Sequence, residues 1–311
     1  MSLVRSLRNT IVELLLKDPR TSRIERGVED VKILLGQQAA RSRVSEPASW
    51  RDVEFRVFSQ FGDDGMIDFL AACLRPVERF VELGTGDYTE SNTRFLLVNR
   101  QWSGFICDGN TRLMNRVRQD TVTWQFGLTV ADRFITRGNV NALLEEHGFT
   151  GEIGLLSIDL DGNDWYIWEA LTSVNPAIVI MEYNAVFGEV TPVSVPYDDA
   201  FQRFAKEPTG LYWGVSLPAL QALAERKGYA FVGCNSAGNN AYFVRNNLVD
   251  RLPAPLRRGR FVDSRFRDSR GPDGSLSHLA GRARLEAIAH MPVVEVTTGR
   301  TLLLKDVSAA H

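Results

Sequence analysis

Between about Arg51 and Asp250 the chain alternates short apolar runs, rich in β-branched and aromatic residues, with stretches of helical periodicity. A strand that returns in parallel to the same sheet needs a crossover of a dozen residues or more, so this alternation predicts a parallel sheet covered on both faces. The expected strands are Arg79–Leu83, Ser103–Cys107, Val122–Phe126, Gly154–Ile158 and Ala177–Met181. Helical stretches at Ser91–Arg100, Leu113–Arg118, Val140–His147 and Trp165–Ser173 separate them. The pattern then changes. A helical stretch at Leu217–Lys227 leads into Tyr229–Cys234 and, after only Asn235-Ser236-Ala237-Gly238-Asn239, into Asn240–Arg245. Five turn-forming residues cannot carry a parallel connection, so the sheet is expected to end in an antiparallel hairpin.

Three regions follow: a helical appendage over 1–48, a sheet domain over 49–250 and an arginine-rich extension over 251–311. In the first, Val4, Leu7, Ile11, Leu14 and Leu15, then Val28, Val31, Leu34 and Leu35, recur at three-and-four spacing, interrupted by Asp18-Pro19. This predicts two amphipathic helices, with sheet capping and homo-oligomerisation both open as their role. The arginines of 251–270 are expected to form a solvated basic tail, with an anion clamp as the alternative. With 44% apolar residues, 17 Phe and 6 Trp, the chain can bury a large core. A formal charge of -2 gives no pull toward nucleic acid or an anionic membrane, and neither is an expected partner. Cys73, Cys107 and Cys234 are isolated, which excludes a disulfide framework and suits the cytoplasm. No run approaches the roughly 18 apolar residues of a membrane span.

The most informative stretch is Phe80-Val81-Glu82-Leu83-Gly84-Thr85-Gly86-Asp87-Tyr88-Thr89-Glu90-Ser91-Asn92-Thr93. A strand runs into two closely spaced glycines and then into a helix capped near Ser91, which lets backbone approach a ligand at the helix N-terminus. Asp108 closes the next strand, where a carboxylate can hold both hydroxyls of a ribose. Dinucleotide binders require a third glycine where this chain has Thr89, so NAD loses ground. Glu82, just before the loop, can accept hydrogen bonds from the cationic amino-acid end of a ligand, which favours S-adenosylmethionine.

Glu82-x-Gly84-x-Gly86, Asp108 and the helix-plus-hairpin at 217–245 together resemble a class I S-adenosylmethionine-dependent methyltransferase over roughly 60–250. Ser59-Gln60-Phe61-Gly62-Asp63-Asp64-Gly65, Ser91-Asn92-Thr93 and Ser157-Ile158-Asp159-Leu160-Asp161-Gly162-Asn163-Asp164 resemble the FkbM-like branch, many members of which methylate hydroxyls of sugars or secondary metabolites. The resemblance implies a Rossmann-like α/β sheet ending in an antiparallel hairpin. It also implies Glu82, Gly84, Thr85 and Gly86 at the methionine end, Asp108 on the ribose, Thr129 and Val130 near the adenine, and Asp159 against the cofactor.

In open α/β sheets ligands bind at the carboxyl ends of the strands, which draws attention to Asp159 and Asp161 on the fourth strand and Glu182 and Asn184 on the fifth. Alternation predicts that each pair shares a side. Three carboxylates and an amide are oxygen donors suited to Mg²⁺, an arrangement that resembles catechol-type O-methyltransferases. Without metal, Asp161 or Glu182 serves as general base. The loop Ala185–Tyr212 is long enough for a substrate lid, and Phe187, Tyr197, Phe201, Tyr212 and Trp213 in and beside it either stack on a sugar or planar ring or, as is commoner for such side chains, pack a core. The expected activity is O-methylation of a small-molecule or glycan acceptor. An NAD-dependent oxidoreductase and a non-catalytic binding subunit are the rivals.

Overall fold

The computed structural model describes residues 19–307, so the first predicted N-terminal helix lies outside the described residues. The second forms α1 (Pro19–Arg41). The sheet domain then runs through α2 (Asp63–Leu74), β1 (Arg79–Leu83), α3 (Arg94–Arg100), β2 (Ser103–Asp108), α4 (Thr111–Gln119), α5 (Val122–Gln125), β3 (Leu128–Asp132) and α6 (Val140–Glu146). It continues with β4 (Gly151–Ile158), α7 (Asp164–Ala170), β5 (Val174–Glu182), β6 (Val193–Ser194), α8 (Arg203–Lys206), α9 (Leu217–Lys227), β7 (Tyr229–Cys234) and β8 (Asn240–Arg245). Past them lie α10 (Arg282–Ile288), β9 (Pro292–Glu295) and β10 (Arg300–Leu303).

Seven strands form one sheet in the order β3-β2-β1-β4-β5-β8-β7. Every neighbouring pair is parallel until β8, which runs antiparallel to both β5 and β7. The expected α/β sheet with a terminal hairpin is therefore present. Period-two alternation divides its residues between two layers. Val81, Leu83, Phe105, Leu156 and Val179 meet Leu143, Trp168 and Leu220 from α6, α7 and α9 on one face. Phe80, Ile106, Leu155 and Ile180 meet Ile67, Leu70, Leu97 and Met114 from α2, α3 and α4 on the other. No helix among the described residues is long and apolar enough to cross a membrane.

The third strand is not where the apolar run suggested. Val122–Gln125 is a helical turn, because Asp120 Oδ1 accepts the Val122 N–H at 3.0 Å and turns the chain, leaving Trp124 75% exposed. Pairing with β2 starts only at Leu128. Thr129 and Val130, expected just beyond that strand, consequently sit inside it, opposite Phe105 and Ile106. The positions past its carboxyl end begin at Arg133.

The segment expected as a lid is built into a second core instead. β6 pairs with β9, and β9 with β10, so a three-stranded sheet joins the 185–215 segment to residues beyond 250. Phe187, Val193, Phe201, Tyr212 and Trp213 bury against Ile288, Val293 and Leu304. Within the expected basic tail, Arg251 donates to the Leu74 carbonyl at 2.6 Å and Arg257 pairs with Asp250 at 3.0 Å.

A chain ended at Asp250 strips Ile288, Val293 and Leu304 from this core, and each such side chain contributes about 1.5–3 kcal/mol on burial. Its urea midpoint should fall well below that of the full chain, with binding of a hydrophobic dye. An unchanged midpoint would show that the extension adds nothing to the folded state.

Candidate active site

The carboxyl end of β1 is organised by Glu82. Alternation turns its side chain to the α2–α3 face, the same side as Phe80, where it is 4% exposed. Oε1 accepts the Asn92 N–H at 3.0 Å, and Oε2 accepts the Ser91 hydroxyl at 2.7 Å, the Thr93 N–H at 3.3 Å and the Thr93 hydroxyl. Ser91 Oγ in turn accepts the Arg94 N–H at 3.1 Å at the start of α3, where the sequence indicated a cap. Asn92 Nδ2 reaches Ser157 Oγ on β4 at 3.1 Å. Glu82 therefore fastens the crossover to the strand rather than standing free for a ligand's ammonium group. Burial raises its pKa, and the four donors oppose that rise by favouring the charged form.

Between Leu83 and Tyr88 the chain makes a loop that only glycine permits at its first position. Gly84 has φ +86°, and a Cβ there would stand 1.6 Å from the Asp159 carbonyl oxygen. Its N–H donates to the Cys107 carbonyl at 2.8 Å while Asp159 N–H donates to Leu83 at 2.9 Å, so the loop is tied to both neighbouring strand ends. Gly86, at φ +56°, donates its N–H to Asp108 Oδ2 at 3.0 Å. Asp108 Oδ1 takes the Asn110 N–H at 2.7 Å. One amide on each oxygen leaves acceptor sites on both, and the residue is partly exposed. Thr85 is 5% exposed, and its buried hydroxyl has no protein partner. Just before Thr89, Tyr88 adopts φ 62° and buries its ring completely, its hydroxyl against Thr93.

The ends of β4 and β5 bring Asp159, Asp161 and Glu182 together, with a carboxylate oxygen of each within 4.8 Å of the others. Strand alternation is not the reason, since β4 ends at Ile158. The chain turns through Asp161 at φ 55°, and Asp164 fixes the turn by accepting the Leu160 and Gly162 N–H groups at 2.8 and 3.0 Å. Asn184 does not join the group. It lies past the end of β5, where alternation lapses, and its side chain accepts the Val186 N–H and donates to the Leu211 and Trp213 carbonyls, both at 2.9 Å. The expected four-residue oxygen set thus reduces to three acids.

Although Asp159 is exposed and Glu182 half-buried, crowding of their carboxyls by the surrounding protein, with the charges of Asp161 and Asp164 on Asp159 and of Asp159 on Glu182, raises both pKa values above the usual carboxylate range. Carboxylate oxygens of Asp159 and Glu182 lie within 4.8 Å of one another, close enough for the two groups to titrate as a pair. Sequence reasoning missed Arg203, whose guanidinium meets Asp161 at 2.9 Å, donates to the Gly210 carbonyl at 2.6 Å and lies 4.9 Å from the Trp213 ring. No motif marks it, because only the folding of the 185–215 segment carries α8 to this edge. A cavity of about 490 Å³ lies farther along, between the 185–191 turn and α10, and neither the glycine loop nor the acid trio lines it.

No family model matches the sequence, and no curated protein matches it. Among similar solved structures, the N-terminal domain of EvdMO1 with SAH bound is 13% identical over 71% of this chain and 94% of its own, with a TM-score of 0.41. An S-adenosylmethionine-dependent methyltransferase from Clostridium acetobutylicum ATCC 824 is 9% identical over 58% and 90%, with a TM-score of 0.37. The mitomycin 7-O-methyltransferase MmcR is 11% identical over 75% and 60%, with a TM-score of 0.36. Likenesses of this strength carry no argument about function, which falls to the chemistry of the site.

Glu82→Gln replaces an acceptor oxygen by a donor facing hydroxyls and N–H groups. It should lower the unfolding free energy by roughly 1–3 kcal/mol, read by urea titration. A variant as stable as the parent would mean that the crossover is held by something else. Burial also pushes Asp64 to about 6, above the ordinary 3.8 of an aspartate. The folded state then binds a proton that the unfolded chain has released. Its stabilising effect is complete below pH about 4 and is lost as pH rises through about 6. Asp64→Asn should flatten the fall in urea midpoint across that window, and a profile parallel to the parent's would show that Asp64 ionises freely.

Proposed function

We propose that this chain is an S-adenosylmethionine-dependent O-methyltransferase of the FkbM-like branch, acting on a hydroxyl of a sugar, glycoconjugate or secondary metabolite. One observation carries the reading: the Gly84-Thr85-Gly86 loop touches the backbone of Asp159, so a nucleoside cradle and a cluster of proton acceptors share one sheet edge. The orphaned Thr85 hydroxyl and the open acceptor sites of Asp108 suit a ribose and its neighbouring atoms. Glu82 fills the N-terminus of α3, where a pyrophosphate would otherwise bind, and its charge would repel one. This disfavours NAD. A sulfonium nucleoside, cationic at its amino-acid end and free of phosphate, suits an edge lined by acids.

In the proposed reaction the acceptor oxygen attacks the sulfonium methyl in line. The O–C bond forms as the C–S bond breaks, S-adenosylhomocysteine departs, and the acceptor's proton passes to the Asp159–Glu182 pair. Their raised pKa values bring that pair closer to the range in which a general base works at neutral pH. Most of the rate enhancement is positional, because the donor is already activated. The same three acids also suit Mg²⁺, being hard oxygen donors at close quarters. Bound there, the ion would polarise the acceptor oxygen. Arg203 holds Asp161 in line for either arrangement.

Calorimetry should register S-adenosylhomocysteine and not NADH. Asp108→Ala should weaken the former by about tenfold or more, equivalent to about 1.4 kcal/mol. No heat with the nucleoside would end the proposal, and binding without methyl transfer to any hydroxylated acceptor would mark a non-catalytic subunit. A separate titration with Mg²⁺ should give heat that Asp159→Asn abolishes. Identical traces for the two proteins would leave the acids as proton acceptors alone.

A further inference from the structure

Helix α1 is apolar on two opposite sides. On one, Ile33 packs with Val57, Phe58 and Phe95, Ala40 is 5% exposed, and Gly36 lies so close that a Cβ would meet Val57 at 2.4 Å and Phe95 at 2.9 Å. The other carries Ile24, Val28, Val31 and Leu35, which are 68%, 56%, 54% and 65% exposed. Their spacing of four, three and four residues is the heptad seam of a helix pair, not the scatter of apolar residues that any surface shows. A helix with two apolar stripes has two partners, and the body of this chain supplies only one among the described residues.

We propose that the second partner is the same helix of another copy, packed antiparallel about a two-fold axis between Val28 and Val31. The patch is then self-complementary, as a two-fold interface must be. Ile24 layers against the partner's Leu35, and Val28 against the partner's Val31. Glu25 and Lys32, neither of them in an ion pair among the described residues, flank the seam on one side, with the Lys32 ammonium 5.2 Å from the centre of the Phe58 ring and within a side-chain swing of the seam's edge. Antiparallel pairing sets Glu25 beside the partner's Lys32, and symmetry repeats the contact.

The packed side of α1 is also wired to the glycine loop. Arg94 is 5% exposed and donates to Glu29 Oε1 at 2.7 Å and to the Tyr88 carbonyl, two residues beyond Gly86, at 2.9 Å. Its guanidinium lies 4.9 Å from the Phe58 ring. Fixing α1 in a dimer steadies this strut, so self-association and nucleoside binding should strengthen one another equally. The coupling rests on the proposed cofactor site; the dimer does not.

Sedimentation equilibrium on the full chain tests the interface. The parent should be a dimer, Val28→Asp with Val31→Asp a monomer with an unaltered thermal transition, and Glu25→Lys a weaker dimer that Lys32→Glu restores. A monomeric parent, or a dimer untouched by the double substitution, would overturn the proposal. So would a monomer that dimerises only after removal of residues 1–18, since that would identify the preceding segment as the occupant. For the coupling, S-adenosylhomocysteine should bind the monomeric variant roughly fivefold or more weakly than the dimer. Glu29→Ala, which cuts the strut, should make affinity independent of association. Equal affinities in monomer and dimer would refute the coupling, whereas absence of any nucleoside binding would refute the cofactor site and leave the sedimentation result standing.

Discussion

A single buried carboxylate sets the shape of the ligand-binding edge. Glu82 sits on β1, an inner strand of the sheet, with four donors from Ser91, Asn92 and Thr93 around it. A charge so far from water is tolerated only when its lone pairs are filled, and filling them requires the crossover to fold back over the end of β1. The loop between Gly84 and Tyr88 is the slack left once both of its ends are pinned. Because the same carboxylate occupies the start of α3, the edge has lost the anion-binding helix terminus of dinucleotide folds. What remains at least partly exposed is Asp108, the backbone of Gly84 and Gly86, and the acids of the adjoining strands.

Those acids come together for topological reasons. β4 lies between β1 and β5, so the residues leaving its carboxyl end are adjacent both to the glycine loop and to Glu182. The 1.6 Å that separates a Gly84 Cβ from the Asp159 carbonyl is the measure of that adjacency, and it leaves no room for any side chain at Gly84. Three carboxylates so close must share protons or a cation, and Arg203 already neutralises one of them. Since Arg203 also reaches Gly210 and Trp213, the acid cluster is braced by the second core that the residues beyond 250 help to build.

The readings that failed share a cause. Val122–Phe126 has the residue types of a strand, but Asp120 offers a local hydrogen bond that starts a helical turn first, which displaces β3 and carries Thr129 and Val130 away from the edge. Asn184 was placed by strand alternation two residues past the point where the strand ends, and three backbone groups claim its side chain. The aromatics of the 185–212 segment have the composition of a ligand-stacking loop and equally that of a core. Only the return of β9 to β6, where Ser194 meets Val294 and Val193 meets Glu295, decides between the two.

From the order of residues alone come the α/β alternation, the closing hairpin, the glycine loop with its acid on the next strand, and the acids at the ends of β4 and β5. These are local in origin: periodicity and turn chemistry act over a few residues, and the register of a buried strand follows from which side chains cannot face water. The fold itself decided the partners of Glu82, the exclusion of Asn184, the recruitment of Arg203 and the second core, because each joins segments far apart along the chain. Such contacts depend on the distances left after every strand is seated, and no local pattern encodes them.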